Sequence, residues 1–374
     1  MEKRLMYLDR LKVFMTVLVV LHHTAIVYGG SGSWPYYEHQ DSTLANVLLT
    51  MFTAVNQSFF MGLFFFISGY VTPASYDRQG GGNFLKARLF RYGIPLLFYM
   101  LAIVPLLRYA VSGYIGSLGA FLREELFLHP LRGVIEFEVG PLWYLEALLL
   151  FFAWYAVFRQ VTAGKPCSKP IALTGRLIAG YVIVVAAANV LVRLVYPVGT
   201  EVLNLQLAYF PAYIGLFMGG VAAYRGQWLQ MLTKEAGRRW AGAAILLIVC
   251  MAAGMALGGA VEGDVSAFIG GLNWQAAFYA TIDPLMGLGI SYVLLVWFRE
   301  RWNGTATKCT GWLTANAFFV YIVHALSVTY VAIAFRSLSW HPILKFVVVG
   351  CIAVILSYTA ATIIRRIPGV KKVI

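Results

Sequence analysis

The sequence predicts an all-α fold, a polytopic membrane helical bundle of about ten transmembrane helices with both termini in the cytoplasm. Three observations lead there. Hydrophobic residues make up 60% of the 374 residues and charged residues only 12%, with a mean hydropathy of +0.74, beyond what a water-soluble chain of this length shows. Several apolar runs reach the roughly 20 residues that a helix needs to cross the hydrocarbon core, and the alternating segments of a transmembrane barrel are missing. The basic residues gather in alternate connections, as the positive-inside rule describes.

Spans are expected at about 8–28, 46–72, 93–112, 141–159, 177–196, 209–225, 240–260, 274–298, 312–334 and 342–364. With the N-terminus inside, the inner segments carry Lys3, Arg4, Arg10, Lys12, Arg78, Lys86, Arg88, Arg91, Arg159, Lys165, Lys169, Arg176, Arg225, Lys234, Arg238, Arg239, Arg299, Arg301, Lys308, Arg365, Arg366, Lys371 and Lys372. Arg108, Arg123, Arg132, Arg193, Arg336 and Lys345 are left to outer segments or outer helix ends. The formal charge of +13 is therefore read as membrane topology and not as a nucleic-acid footprint.

The first apolar run follows MEKR but lacks a small-residue cleavage site and carries histidines where a signal core is apolar, so a retained span is expected. Cys167 and Cys309 fall in inner loops and Cys250 and Cys351 within spans, which leaves no pair for a disulfide on the oxidising side. No Cys-x-x-Cys or His/Cys cluster proposes a metal. Residues 1–374 are expected to form a single integral-membrane domain, without internal repeat or soluble part.

The two longest outer segments, Gly29 to Ala45 with SWPYYEHQD and Ser112 to Gly140 with LFLHPLRGVIEFEVG, mix aromatic residues with carboxylates and a histidine. Aromatic faces stack on pyranose rings and carboxylates accept from hydroxyls, so a sugar acceptor suits them. An ordinary interfacial aromatic belt accounts for the same composition.

Ionisable residues inside spans are costly and mark function by default. Helical rise places His23, Asn56, Asp283 and His324 in the bilayer interior on four different helices. Histidine has the most useful chemistry there, since near neutral pH its ring can take a proton from a hydroxyl and return it to a leaving group. Interhelical hydrogen bonding is the competing role. Lys12 and His23 are eleven positions apart on the first helix, nearly one face and roughly 16 Å along the axis. With Arg88-Leu89-Phe90-Arg91 in the next inner loop, cations at one cytoplasmic entrance can hold a phosphate-rich donor, although plain positive-inside topology explains the arginines too. Trp143 and Tyr144 line an acceptor mouth or anchor the interface. Asn56 is interhelical glue or an oxyanion donor.

Taken in order, Tyr7-Leu8-Asp9-Arg10-Leu11-Lys12 with His23, FFFISGY at Phe64 to Tyr70, RLFR at Arg88 to Arg91, GPLWYL at Gly140 to Leu145 and YIVH at Tyr321 to His324 resemble the membrane acyltransferase-3 family. The resemblance runs from the first span to the ninth. It implies an O-acyltransferase that moves an acyl group, acetyl or succinyl above all, from cytoplasmic acyl-CoA to a hydroxyl of a cell-envelope glycan or other extracytoplasmic acceptor. It maps the family's R/K-x10-H motif onto Lys12 and a catalytic His23, its R-x-x-R motif onto Arg88 and Arg91 as donor-phosphate or entrance residues, and a similar late Tyr/His pair onto His324. Departures are Lys12 where many members carry Arg, Leu148 where many carry Glu, and the doublet His22-His23, in which spacing and face favour His23.

The expected partners are acyl-CoA as donor substrate, a glycan or small hydroxylated acceptor and membrane lipids, with no nucleic acid, no permanently bound cofactor and no metal. The expected place is the plasma or inner membrane. The alternative is a secondary transporter of a small solute or lipid-linked sugar that uses His23, Asp283 and His324 as a proton relay, for which ten spans suit an inverted repeat.

Overall fold

The structure is a computed structural model that describes residues 5–38, 42–128, 137–162, 171–260 and 265–370. Lys3, Arg4, His39, Asp41, Arg132, Lys165, Cys167, Lys169, Lys371 and Lys372 lie outside the described residues.

Ten helices long and apolar enough to cross a membrane occur among the described residues: α1 (Met6–Val27), α2 (Thr43–Gln79), α3 (Gly81–Val111), α4 (Gly140–Val161), α5 (Gly175–Val195), α6 (Leu207–Gly226), α7 (Lys234–Leu257), α8 (Trp274–Arg301), α9 (Lys308–Ala334) and α10 (Pro342–Ile364). Every expected span is matched. Side-chain caps start several of them: Thr174, Thr233 and Asn273 each accept from a first-turn N–H, at Leu177, Ala236 and Ala276 respectively.

The third span departs from expectation. Only Gly80, at φ +73°, separates α2 from α3, so Arg88 and Arg91 sit within a helix and not in a loop. Proline explains the local form. The ring at Pro95 clashes with the carbonyl four residues back, and the turn before it, Leu89–Gly93, widens to π geometry; the same happens at Tyr99–Ile103 before Pro105.

The chain forms two compact units. The first comprises Met1–Met15, Ala54–Lys86 and Leu150–Thr310. Its core gathers Tyr7, Leu8, Leu11 and Met15 of α1 with Leu63, Ile67, Leu295 and Phe298. α2 and α6 pack closely: a Cβ on Gly69 would stand 2.0 Å from the Phe217 carbonyl oxygen, and one on Gly220 2.0 Å from that of Phe66. Asp77 binds Arg159 at 3.2 Å and Arg225 at 2.6 Å, linking α2, α4 and α6. Arg193, expected near an outer helix end, is instead buried, 3.8 Å from Asp283 and between the rings of Tyr209 and Tyr279. A guanidinium taken out of water needs such company.

The second unit comprises Thr16–Thr53, Ala87–Leu149 and Gly311–Ile374. Its most informative feature is the end of α1. Gly29, at φ +116°, takes the left-handed position, and the Gly30 N–H returns to the Ala25 carbonyl at 2.8 Å, a Schellman stop. The following loop is tied down at several points. Glu38 N–H donates to the Val27 carbonyl, Ser31 N–H to Thr50 Oγ1, and the buried Lys345 of α10 donates to the Glu38 carboxylate. Lys345 thus faces inward, where topology alone had placed it at an outer helix end.

Candidate active site

Within the second unit three rings from three elements meet. His23 of α1 stacks on Trp34 of the α1–α2 loop, centroids 4.1 Å apart at 25°, and on His324 of α9 at 5.3 Å and 24°. Trp34 and His324 close the triangle at 5.9 Å. His22 stands edge-on to His23 at 5.3 Å and 89°. The doublet is thus divided by geometry: His23 faces both Trp34 and His324. His23 lies only four residues from the end of α1, nearer the loop than the middle of the helix, which is why a loop residue reaches it.

His324 is fully buried, and its Nδ1–H donates to the Tyr321 carbonyl at 2.7 Å. A carbonyl only accepts, so Nδ1 carries the proton and the neutral ring presents Nε2 as an acceptor. That Nε2, His23 Nδ1 and Trp34 Nε1 are all enclosed and have no hydrogen-bond partner among the described residues. Buried polar atoms of a folded protein are nearly always paired, so three orphans in one place mark a position where a substrate can complete the bonding.

The late Y-x-x-H pair is joined to the fourth-span motif. The Tyr321 hydroxyl donates to the Pro141 carbonyl, and its ring meets Tyr144 edge-on at 6.2 Å. Gly140, at φ +45°, lets the chain turn against Tyr99, whose hydroxyl would lie 2.7 Å from a Cβ there. Tyr144 is buried in this aromatic wall, whereas Trp143 beside it is half-buried.

The other expected site residues are placed as follows. Lys12 lies on the same unbroken helix as His23 and pairs with Asp9 at 2.8 Å. Asn56 is buried on α2 in the first unit, its amide nitrogen without a partner among the described residues. Arg88, just before the first π turn of α3, and Arg91 within it are half-buried, and the Arg91 guanidinium lies 6.0 Å from the Phe318 ring. Phe318 precedes His324 by six residues on α9, about 9 Å along the axis. Arg365, beyond α10, donates to Asn316 Oδ1 at 3.3 Å and so reaches the same turn of α9.

Sequence reasoning missed Trp34 and Arg365 as site residues. Arg365 was absorbed into the topology count. Trp34 belonged to a stretch already noted for its aromatics, but composition cannot tell an inward ring from a belt residue; its nearness to the glycine stop after His23 is the signal that could have found it. Glu38 also gives the loop its electrostatics, since burial first and then this carboxylate push the Tyr36 phenol up.

Among the described residues no group of three His, Cys, Asp or Glu side chains could hold a metal ion. What the arrangement offers is a paired imidazole site enclosed by aromatic rings, with Arg91 of α3 and Arg365 beyond α10 reaching α9 at Phe318 and Asn316, ahead of His324.

The acyltransferase-3 family model, described as an acyltransferase domain, matches residues 5–362. The glucans biosynthesis protein C of Salmonella schwarzengrund (strain CVM19633) is 23% identical over 334 residues, 85% of this chain and 80% of that protein. Its counterparts in Salmonella typhi and Salmonella typhimurium are 22% identical over the same shares. No solved structure matches the chain. With the family model spanning nearly its whole length, the chain belongs to the acyltransferase-3 family and is a multi-pass membrane enzyme that transfers acyl groups.

Proposed function

We propose that the protein is an O-acyltransferase of the cell membrane, with both termini in the cytoplasm, that moves an acyl group from cytoplasmic acyl-CoA to a hydroxyl of an extracytoplasmic glycan. The observation that carries this reading is the enclosed His23–His324 stack, whose ring nitrogens lack partners among the described residues, in a chain of an acyltransferase family. Arg88 and Arg91, with Arg365, hold the donor's phosphates, because guanidinium forks match phosphate oxygens. The thioester arm then runs along α9 toward His23.

There the acceptor hydroxyl attacks the thioester carbonyl while His23 takes its proton as general base, and the ring later returns that proton to the departing thiolate. His324, held in one tautomer by Tyr321, provides a second proton acceptor beside it. Tyr144 and Trp143 form the acceptor side of the site, since aromatic rings stack on sugar faces. The glycan acceptor is supported by the relatives, which are named glucans biosynthesis protein C.

The test uses purified protein in liposomes with acetyl-CoA and linear glucan oligosaccharides, following free thiol and oligosaccharide mass. Wild type should release thiol with a matching acyl mass gain. His23→Ala should abolish both, and His324→Ala should lower the rate about 100-fold or more. Thiol release by His23→Ala at the wild-type rate would sink the mechanism.

A further inference from the structure

We propose that Trp34 is a catalytic residue, its indole Nε1–H being the donor that stabilises the oxyanion formed when the acceptor hydroxyl adds to the thioester. Trp34 is 5% exposed, its Nε1 is enclosed, and that N–H has no acceptor among the described residues. Buried indoles normally find one. The orphan donor stacks 4.1 Å from the ring that serves as base and 5.9 Å from its partner histidine. Catalysis of acyl transfer needs a preorganised donor next to the base, because negative charge appears on the carbonyl oxygen as the base takes the proton.

The loop is built to hold the indole still. The backbone N–H of Trp34 donates to the Tyr37 hydroxyl at 2.6 Å, and that hydroxyl donates to the Gly32 carbonyl at 3.1 Å. Four residues further on, Glu38 is fixed to Val27 and Lys345. A donor fixed before substrate arrives costs no reorganisation during the reaction.

The step balances. The acceptor oxygen bonds to the thioester carbon, its proton passes to His23, and the carbonyl π pair moves onto oxygen, where the indole N–H donates to it. Collapse re-forms the carbonyl and breaks the carbon–sulfur bond; the thiolate takes the proton from the imidazolium and leaves as free CoA. The products are an ester and a thiol, with no oxidant or other reactant required.

This inference rests on the reading of His23 as base, and the experiment separates the two. Full-length Trp34→Phe, which keeps an aromatic ring over His23 and deletes the N–H, is assayed with acetyl-CoA and linear glucan oligosaccharides beside His23→Ala. A second variant carries benzothienylalanine at position 34, an indole isostere with sulfur in place of N–H, so that shape and packing stay. The expected result is a fall in kcat of about 100-fold in both Trp34 variants, with KM for both substrates within about threefold of wild type. A wild-type kcat in the isostere overturns the oxyanion assignment whatever Trp34→Phe does, and so does an effect confined to KM. An active His23→Ala overturns the base reading instead.

Discussion

Lys345 and Glu38 form a buried ion pair that fastens the α1–α2 loop to α10. The pair sits four residues from Trp34, so the fixed position of the loop and the integrity of the site are one problem. Removing one charge of a buried pair typically costs about 3–5 kcal/mol, because the other charge stays in a poorly solvated place. Lys345→Met should therefore melt several degrees below wild type and lose most activity. The double variant Lys345→Met/Glu38→Gln should recover part of the melting temperature, measured in the same detergent. A single variant that melts with wild type would show that the pair does not hold the loop.

Tyr321 ties the ninth helix to the start of the fourth. Tyr321→Phe deletes the hydroxyl that donates to Pro141 while leaving the backbone carbonyl that holds His324. The expected stability loss is about 1 kcal/mol, typical of one hydrogen bond. Thiol release should fall about tenfold through misplacement of the aromatic wall. An unchanged rate would remove Tyr321 from the positioning of the site.

Donor binding is the task assigned to Arg91. Arg91→Gln should raise KM for acetyl-CoA about tenfold with little change in kcat, because a contact remote from the reacting bond is made equally in ground and transition states. Arg91→Lys should fall between, as an ammonium lacks the guanidinium fork. Inhibition by 3′-dephospho-CoA and by CoA should converge in the Gln variant if this arginine reads the phosphates.

Close helix contact in the first unit gives a stability test away from the chemistry. Gly69→Val places a branched side chain where even a Cβ would be 2.0 Å from the Phe217 carbonyl oxygen, so α2 and α6 must separate. Little folded protein should survive detergent extraction. Gly180→Ala and Gly242→Ala meet nothing within 4 Å and should behave as wild type in size-exclusion chromatography.

Much of this molecule is legible in its residues. The ten spans follow from apolar run lengths, and the Lys12–His23 relation follows from helical spacing. What escaped is pairing between positions far apart in the chain. Nothing local in Asn-Val-Leu-Val-Arg193 announces that Asp283, ninety positions later, will face it, and nothing in SWPYY tells that Trp34 turns inward while Tyr37 stays exposed. Arg88 and Arg91 were misplaced into a loop for another reason: charge was taken as a boundary, whereas the helix continues through both and changes form only as it nears Pro95.

The two units are interleaved along the chain, each drawing on three separate stretches, and this has a consequence in time. His23 leaves the ribosome about 300 residues before His324, which at about 5–20 residues per second is about 15–60 s of synthesis. Throughout that interval the first helix must carry its imidazoles without their late partner. Neither unit can be obtained by cutting the gene at one point, and every nascent chain that ends before α9 holds His23 without His324.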